Sequence, residues 1–164
     1  MTDQITTDAA DSESKIQLVT FRVNDILLGI SIDCVQEINR LLDVTAVPGA
    51  SRLIHGVVNL RGEVVTVIDA HQLFGVRSQT NPENQRNLVL RVDGEQIGIL
   101  VDEIADILTI RQCDLSPRPS NLRSVDRRFI DSVFLTSGSI VVVLDASSLV
   151  NAIDQSDKAE PVLA

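Results

Sequence analysis

Residues 54–69, IHGVVNLRGEVVTVID, return 76 positions later as residues 130–145, IDSVFLTSGSIVVVLD. Ile54 falls on Ile130, Val57 on Val133, Gly62 on Gly138, Val65 on Val141, Val67 on Val143 and Asp69 on Asp145. Upstream the repeat continues at an offset of 69. There Arg22-Val23 falls on Arg91-Val92, Gly29-Ile30 on Gly98-Ile99, Asp33 on Asp102, Ile38 on Ile107 and Pro48 on Pro117. Between Pro117 and Ile130 the second copy carries seven additional residues, which accounts for the change of offset. Apolar strands can align by chance. Gly, Asp and Pro agreeing in order cannot be dismissed so easily, because these residues fix backbone geometry. The chain therefore reads as a duplication, with copies at about 16–75 and 86–152.

Each copy is built from short apolar runs separated by turn residues. In 16–24, IQLVTFRVN, the positions Val19, Phe21 and Val23 share a face, the period of a strand. Asn24-Asp25 turns the chain and ILLGISI returns. Asp33 followed by Gln36 matches a helix capping pattern and predicts a short helical turn over DCVQEINR, with Val35 and Ile38 on one side and Glu37 exposed. LLDVTAV (41–47) predicts a third strand, ended by Pro48-Gly49. Arg61-Gly62 stands between two β-branched runs and predicts a hairpin with Arg61 at its tip. Asp69 and Gln72 repeat the capping pattern before AHQLFG, a short helix. Residues 76–86 are polar and read as a linker. The second copy follows the same plan, with a strong hairpin signal at Asp93-Gly94 and a last short helix near 146–153. Residues 1–15 read as a disordered acidic tail and 153–164 as a flexible C-terminal tail.

About five short strands per copy predict small barrels or sandwiches, not an α/β sheet. Two units of about 60 residues would each be marginal, so they should share an apolar seam. Their cores must be built from Val, Ile and Leu, because the chain has four Phe and neither Trp nor Tyr. A net charge of −9 with so few aromatics argues against nucleic acid, which demands a basic footprint and stacking platforms. No apolar run reaches the ~20 residues of a membrane span and no leader is visible, so a cytoplasmic location is expected. Cys34 and Cys113 stand apart, expected as small buried apolar residues rather than a metal site or a disulfide.

The residues carry no recognisable catalytic constellation. His55 and His71 form no metal-binding pair, and His55 is expected at the surface or half-buried. Phosphate-binding glycine loops are absent from the sequence. Asp33, Asp69, Asp102 and Asp145 could serve as paired carboxylates, but each follows a strand and precedes a turn, where Asp caps backbone donors. The arginine-rich stretch 111–128 could dock an acidic partner or simply be solvated. Glu37 and Arg61 stand out. Their counterparts in the second copy are Asp106 and Ser137, so the pair belongs to one half alone. A use beyond folding and a plain surface ion pair are both open at this point.

The string GVVNLRGEVVTVID resembles the G-x-x-N-x-R-G-x-x-x-P-V-x-D segment of the CheW family. VQEI at 35–38, GILVD at 98–102 and SPRP at 116–119 fall in that family's order, so the resemblance covers about residues 16–152. It implies a mainly β fold of two five-stranded SH3-like β-barrels with short helices. It also implies a non-enzymatic adaptor, without cofactor or metal, that couples the cytoplasmic helical tip of chemoreceptors to the regulatory domain of a CheA-type histidine kinase. Such a protein would sit at membrane-associated receptor arrays through its partners. By motif, Val35, Glu37, Ile38, Gly56, Asn59, Arg61, Gly62, Ile104 and Ile107 are the implied partner-binding residues, with Glu37 and Arg61 paired. The sequence departs from the family at Thr66, where Pro is usual, and at Ala70-His71, where Leu-Arg is common. Ala70 and His71 could alter partner choice. With no phosphotransfer or receiver region expected around the domain, an isolated adaptor is implied. Two other readings stay open: the same adaptor in surface motility or second-messenger control, and a small-molecule binder using a cleft between barrels.

Overall fold

The computed structural model describes residues 14–40, 44–77, 81–120 and 126–159, with side chains described through residue 152. Among the described residues eleven strands form two sheets. The strands are β1 (Lys15–Val23), β2 (Ile26–Ser31), β3 (Val35–Asn39), β4 (Ile54–Leu60), β5 (Glu63–Asp69), β6 (Arg86–Val92), β7 (Glu95–Val101), β8 (Glu103–Arg111), β9 (Leu115–Pro117), β10 (Ile130–Thr136) and β11 (Ser139–Leu144). The α-helices among the described residues, α1 (Ala70–Phe74) and α2 (Ala146–Ala159), each follow a repeat's last hairpin.

The duplication is written in the strand pairing. One sheet has six strands in the order β8-β1-β2-β11-β10-β9, and the other has five in the order β3-β6-β7-β5-β4. Applying the two sequence offsets turns one order into the other, with β9 as an addition. The registers obey the same rule. Val143 pairs with Gly29 in parallel, and Val67 pairs with Gly98 in parallel. Phe21 opposes Ile104 just as Leu90 opposes Val35. The β-bulges coincide as well: one lies between Ile54 and Gly56, its counterpart between Ile130 and Ser132. A bulge is a backbone event set by local packing, so its recurrence is evidence of a shared unit.

The sheets do not follow the repeat boundaries, however. The hairpin β1–β2 opens the first copy but pairs with strands of the second, and β6–β7 pairs with strands of the first. Each half thus lends its leading hairpin to the other. Each sheet also tends to closure. The chain leaving β8 at one edge turns through Gln112–Asp114 and enters β9 at the other edge. In the smaller sheet the chain beyond β3 does likewise, through the Thr45↔Val57 bridge on β4.

The expected apolar seam is present. Val19, Phe21, Val23, Leu28 and Ile30 of one sheet meet Leu88, Leu90, Ile97, Ile99 and Val101 of the other, roofed by Phe74, Phe129 and Leu149. The opposite faces of the same strands enclose two smaller cores, Val58, Val65, Val67 and Leu100 in one sheet, Leu18, Ile110 and Val143 in the other. The strands are therefore buried on both faces. At about 25 cal/mol per Å2 of apolar surface, burial on both faces lets Val and Ile carry a core almost without aromatics.

Four local expectations are corrected. DCVQEINR is not helical: Ile32–Cys34 makes one 3-10 turn capped by Ser31, whose side chain accepts the Asp33 N–H, and Val35–Asn39 is strand β3. Pairing with β6 outweighs the local capping pattern. The strand expected at 41–47 reduces to the Thr45 bridge, while 41–43 lie outside the described residues. The last helix runs to Ala159 rather than ending near 153, since no Gly or Pro interrupts the sequence before Pro161. Neither cysteine is fully buried: Cys34 is half-buried and Cys113 exposed. The acidic stretch before Ser14 and the last five residues lie outside the described residues.

Candidate functional site

The β4–β5 hairpin turns on two residues with positive φ, Arg61 at 55° and Gly62 at 87°. This is the turn whose twist matches paired strands. Asn59 Oδ1 accepts the Gly62 N–H at 2.9 Å and locks the tip. The tip delivers Arg61 Nη2 to Glu37 Oε2 at 2.8 Å. Glu37 lies on β3, at the opposite edge of the same sheet. The ion pair therefore joins the two edges. Asn39 Nδ2 donates to the other carboxylate oxygen at 3.3 Å.

Burial distinguishes the partners. The Glu37 side chain is 22% exposed and Arg61 is 78% exposed, so the expectation of an exposed Glu37 is corrected. The carboxylate is held by the sheet while most of the guanidinium faces solvent, with donors to spare. An exposed pair of this kind stabilises the fold by only ~0–1 kcal/mol, too little to explain the site as a structural device. Beside it lies a notch of ≈ 90 Å3 lined by Gln36, Glu37, Arg61, Arg91 and Gln96 among others. Gln36 Oε1 accepts from Arg91 Nε and Gln96 Nε2 there. Sequence reading did not group these three residues as a site, because long-range strand pairing alone brings them together.

Of the other expected residues, Ile38 is exposed on β3 and Val35 is half-buried against the central core. Ile104 and Ile107 lie on β8, the edge strand of the other sheet, where Ile107 is exposed and Ile104 packs against the central core. Val35 and Ile104 are equivalents in the duplication, as are Ile38 and Ile107, so the set contains two matched apolar pairs. Gly56 is buried, and a Cβ there would stand 2.6 Å from Thr45 O. Its role in the fold is close backbone approach. Ala70 and His71 are buried. Further exposed apolar residues sit on the two hairpins: Val64 on one, and Leu135 opposite Ile140 on the other.

The aspartates divide by role. Asp69 accepts the His71 N–H and Asp145 the Ser147 N–H, as expected of caps. Asp33 caps nothing; its own N–H is donated to Ser31. Asp102 is buried and reaches across the chain to the Asn24 N–H. A cleft of ≈ 320 Å3 lies over the six-stranded sheet, lined by Leu18, Cys34, Leu115, Asp131 and Asp145 among others. Burial, reinforced by Asp33 and Asp145, pushes the Cys34 thiol upward and away from the nucleophilic thiolate. No group of His, Cys, Asp and Glu that could hold a metal occurs among the described residues. In the arginine-rich segment, Arg111 pairs with Asp114 and Arg128 with Asp126, while Arg118 donates to Arg127 O. Arg123 lies outside the described residues.

Residues 17–154 match the family profile described as CheW-like domain. The chain belongs to the CheW family. The CheW-like chain is 31% identical over 144 residues to a chemotaxis protein CheW of Treponema pallidum, covering 85% of each chain. It is 29% identical over 133 residues to a chemotaxis protein CheW of Rhizobium meliloti, covering 81% of this chain and 86% of that one. The crystal structure of the scaffolding protein TtCheW from Thermoanaerobacter tengcongensis superposes with a TM-score of 0.75 at 24% identity, over 79% of this chain and 84% of that one. That likeness gives the fold, and the CheW-like fold is what carries Glu37 and Arg61 to one place.

Proposed function

We propose that this chain is a non-enzymatic adaptor that couples chemoreceptors to a CheA-type histidine kinase in a chemosensory array. The observation that carries the reading is the Glu37–Arg61 pair, present in one half of the duplication only. An anchored carboxylate and a largely solvated guanidinium suit the receptor's helical tip, whose recognition is helix-in-groove. The exposed apolar residues on the hairpins, Val64, Leu135 and Ile140, suit the β-rich regulatory domain of the kinase. The names of the relatives, chemotaxis proteins, support the setting. No helix among the described residues is long and apolar enough to cross a membrane, so attachment to an array would run through partners. Individual contacts of this size are modest, and an array would gain its persistence from multivalency.

The test is a pull-down of the folded chain with a receptor cytoplasmic tip and with the kinase. Capture of neither partner ends the reading. Arg61→Glu places like charges together at the site and should weaken receptor capture at least tenfold, while the melting temperature moves by less than about 3 °C. A much larger fall would make Arg61 a structural residue.

A further inference from the structure

All five strands of the smaller sheet contribute to the notch beside Glu37 and Arg61. Gln36 and Glu37 come from β3, Arg91 from β6 and Gln96 from β7. Arg91 is exposed and its guanidinium is anchored at one atom. Its Nε donates to Gln36 Oε1 at 3.2 Å, and Gln96 Nε2 donates to the same oxygen at 2.8 Å. An amide oxygen orients a guanidinium without neutralising it. Among the described residues no carboxylate pairs with Arg91, and its Nη1 and Nη2 make no bond.

The duplication supplies a control. At the offset of 69, Arg91 falls on Arg22. Arg22 stands opposite Glu103 in the β1–β8 pairing, and its Nε lies 3.8 Å from Glu103 Oε1. In the first copy the position of Glu103 is held by Cys34, which cannot supply that charge. In the second copy the positions of Gln36 and Gln96 are held by Ala105 and Leu27. One copy thus gives this arginine a carboxylate. The other gives it an orienting amide and leaves its charge uncompensated.

On the receptor reading above, on which this step rests, we infer that Arg91 is a specificity-determining residue that takes an acidic side chain of the bound helical tip. A guanidinium fixed through Nε presents its terminal nitrogens as a fork, which matches a carboxylate with two parallel bonds. Anchoring before binding removes part of the ordering cost that makes exposed ion pairs weak. The other charges of the notch narrow the ligand class. Glu37 is already engaged by Arg61 and Asn39. Glu63 lines the same notch and weighs against a multiply charged anion, so a single carboxylate is the class that fits. A volume of ≈ 90 Å3 has room for the end of one side chain, well short of a metabolite pocket.

The test measures the affinity of a recombinant receptor cytoplasmic fragment, and separately of the kinase, for the wild-type chain, Arg91→Ala, Arg91→Lys and Gln36→Ala. Arg91→Ala should weaken receptor binding about tenfold and flatten its salt dependence. Arg91→Lys should recover only part of the loss, because an ammonium cannot make two parallel bonds. Gln36→Ala, which frees the guanidinium, should cost about threefold. Kinase binding should be unchanged, and melting temperatures should move by less than about 2 °C. Single Glu→Gln and Asp→Asn changes along the receptor tip should include one whose effect disappears in the Arg91→Ala background. Receptor binding unaffected by Arg91→Ala, an equal loss with the kinase, or no tip position coupled to Arg91 overturns the assignment and leaves the receptor reading standing. A wild-type chain that binds no receptor fragment overturns both.

Discussion

The two hairpins β4–β5 and β10–β11 share a backbone and differ in what they display. Both turn on a glycine with positive φ, both carry a bulge at the same position, and both pair with the other half's leading hairpin. Yet the first presents Asn59, Arg61 and a reach to Glu37, where the second has Leu135, Ser137 and Asp106. The turn glycines Gly62 and Gly138 and the capping Asp69 and Asp145 are shared by the copies, while the display positions differ. The lesson is that the sheet is a frame twice used, with an ion pair displayed on one copy and exposed Leu135 and Ile140 on the other.

The strongest way to break that comparison is to separate the copies. Since each sheet takes strands from both, neither half owns a complete core. A chain cut in the 76–86 segment should yield halves that show no cooperative unfolding alone and regain it when mixed. A half that melts cooperatively by itself would mean the leading hairpin can fold back onto its own copy.

A subtler break exchanges one residue between the copies. Ser132 stands where the first copy has Gly56. Its hydroxyl has room to donate to Asp131 at 3.1 Å. At Gly56 a Cβ would meet Val44 Cγ1 at 2.5 Å and Thr45 O at 2.6 Å. Gly56→Ser should cost about 1–3 kcal/mol in denaturant unfolding. The reverse change, Ser132→Gly, should cost only about 0.5–1 kcal/mol. Equal costs would show that the two bulges differ less than their surroundings suggest.

The same reasoning sharpens the comparison at Asn87, which is buried with neither amide atom hydrogen-bonded. Its equivalent is Leu18, set against Gly29 as Asn87 is set against Gly98. Asn87→Leu removes two unsatisfied groups while keeping the same branched heavy-atom skeleton and should stabilise the chain by roughly 1–2 kcal/mol. Destabilisation would point to a water satisfying the carboxamide.

How much of this was legible follows from the range of each interaction. The turns at Asn24, Arg61-Gly62 and Asp93-Gly94 were readable because each is decided within four residues, and all five of these residues except Arg61 favour such turns. The Glu37–Arg61 pair was readable as an asymmetry between copies. Strand β3 was not, because Asp33 and Gln36 mimic a helix start while the deciding partner, β6, lies some fifty residues away. The exchanged hairpins were hidden for a different reason: equivalent copies offer equivalent edges, so the pattern of apolar residues fits either pairing. Asp102 looked like another cap, and only the folded chain shows that it meets His71.

The smallest effect concerns charges that only the second half has. Asp114 and Asp126 lie in the segment that precedes β10. The side-chain hydrogen bond from Arg111 lowers the Asp114 carboxyl below the ordinary aspartate range. The backbone N–H of Arg128 does the same for Asp126, aided by its side chain. A lowered folded value means stability that is present above the ordinary carboxylate range and lost as pH falls through the shifted one. Both groups are largely solvated, so the effect is screened and the melting temperature should change by about 1 °C or less. Asp114→Asn and Asp126→Asn should therefore lower the melting temperature by that small amount at neutral pH and converge with the wild type in acid, flattening the acid limb. A large loss at neutral pH would mean that this segment does more than solvate the second copy, and that its arginines are held ready for something that binds them.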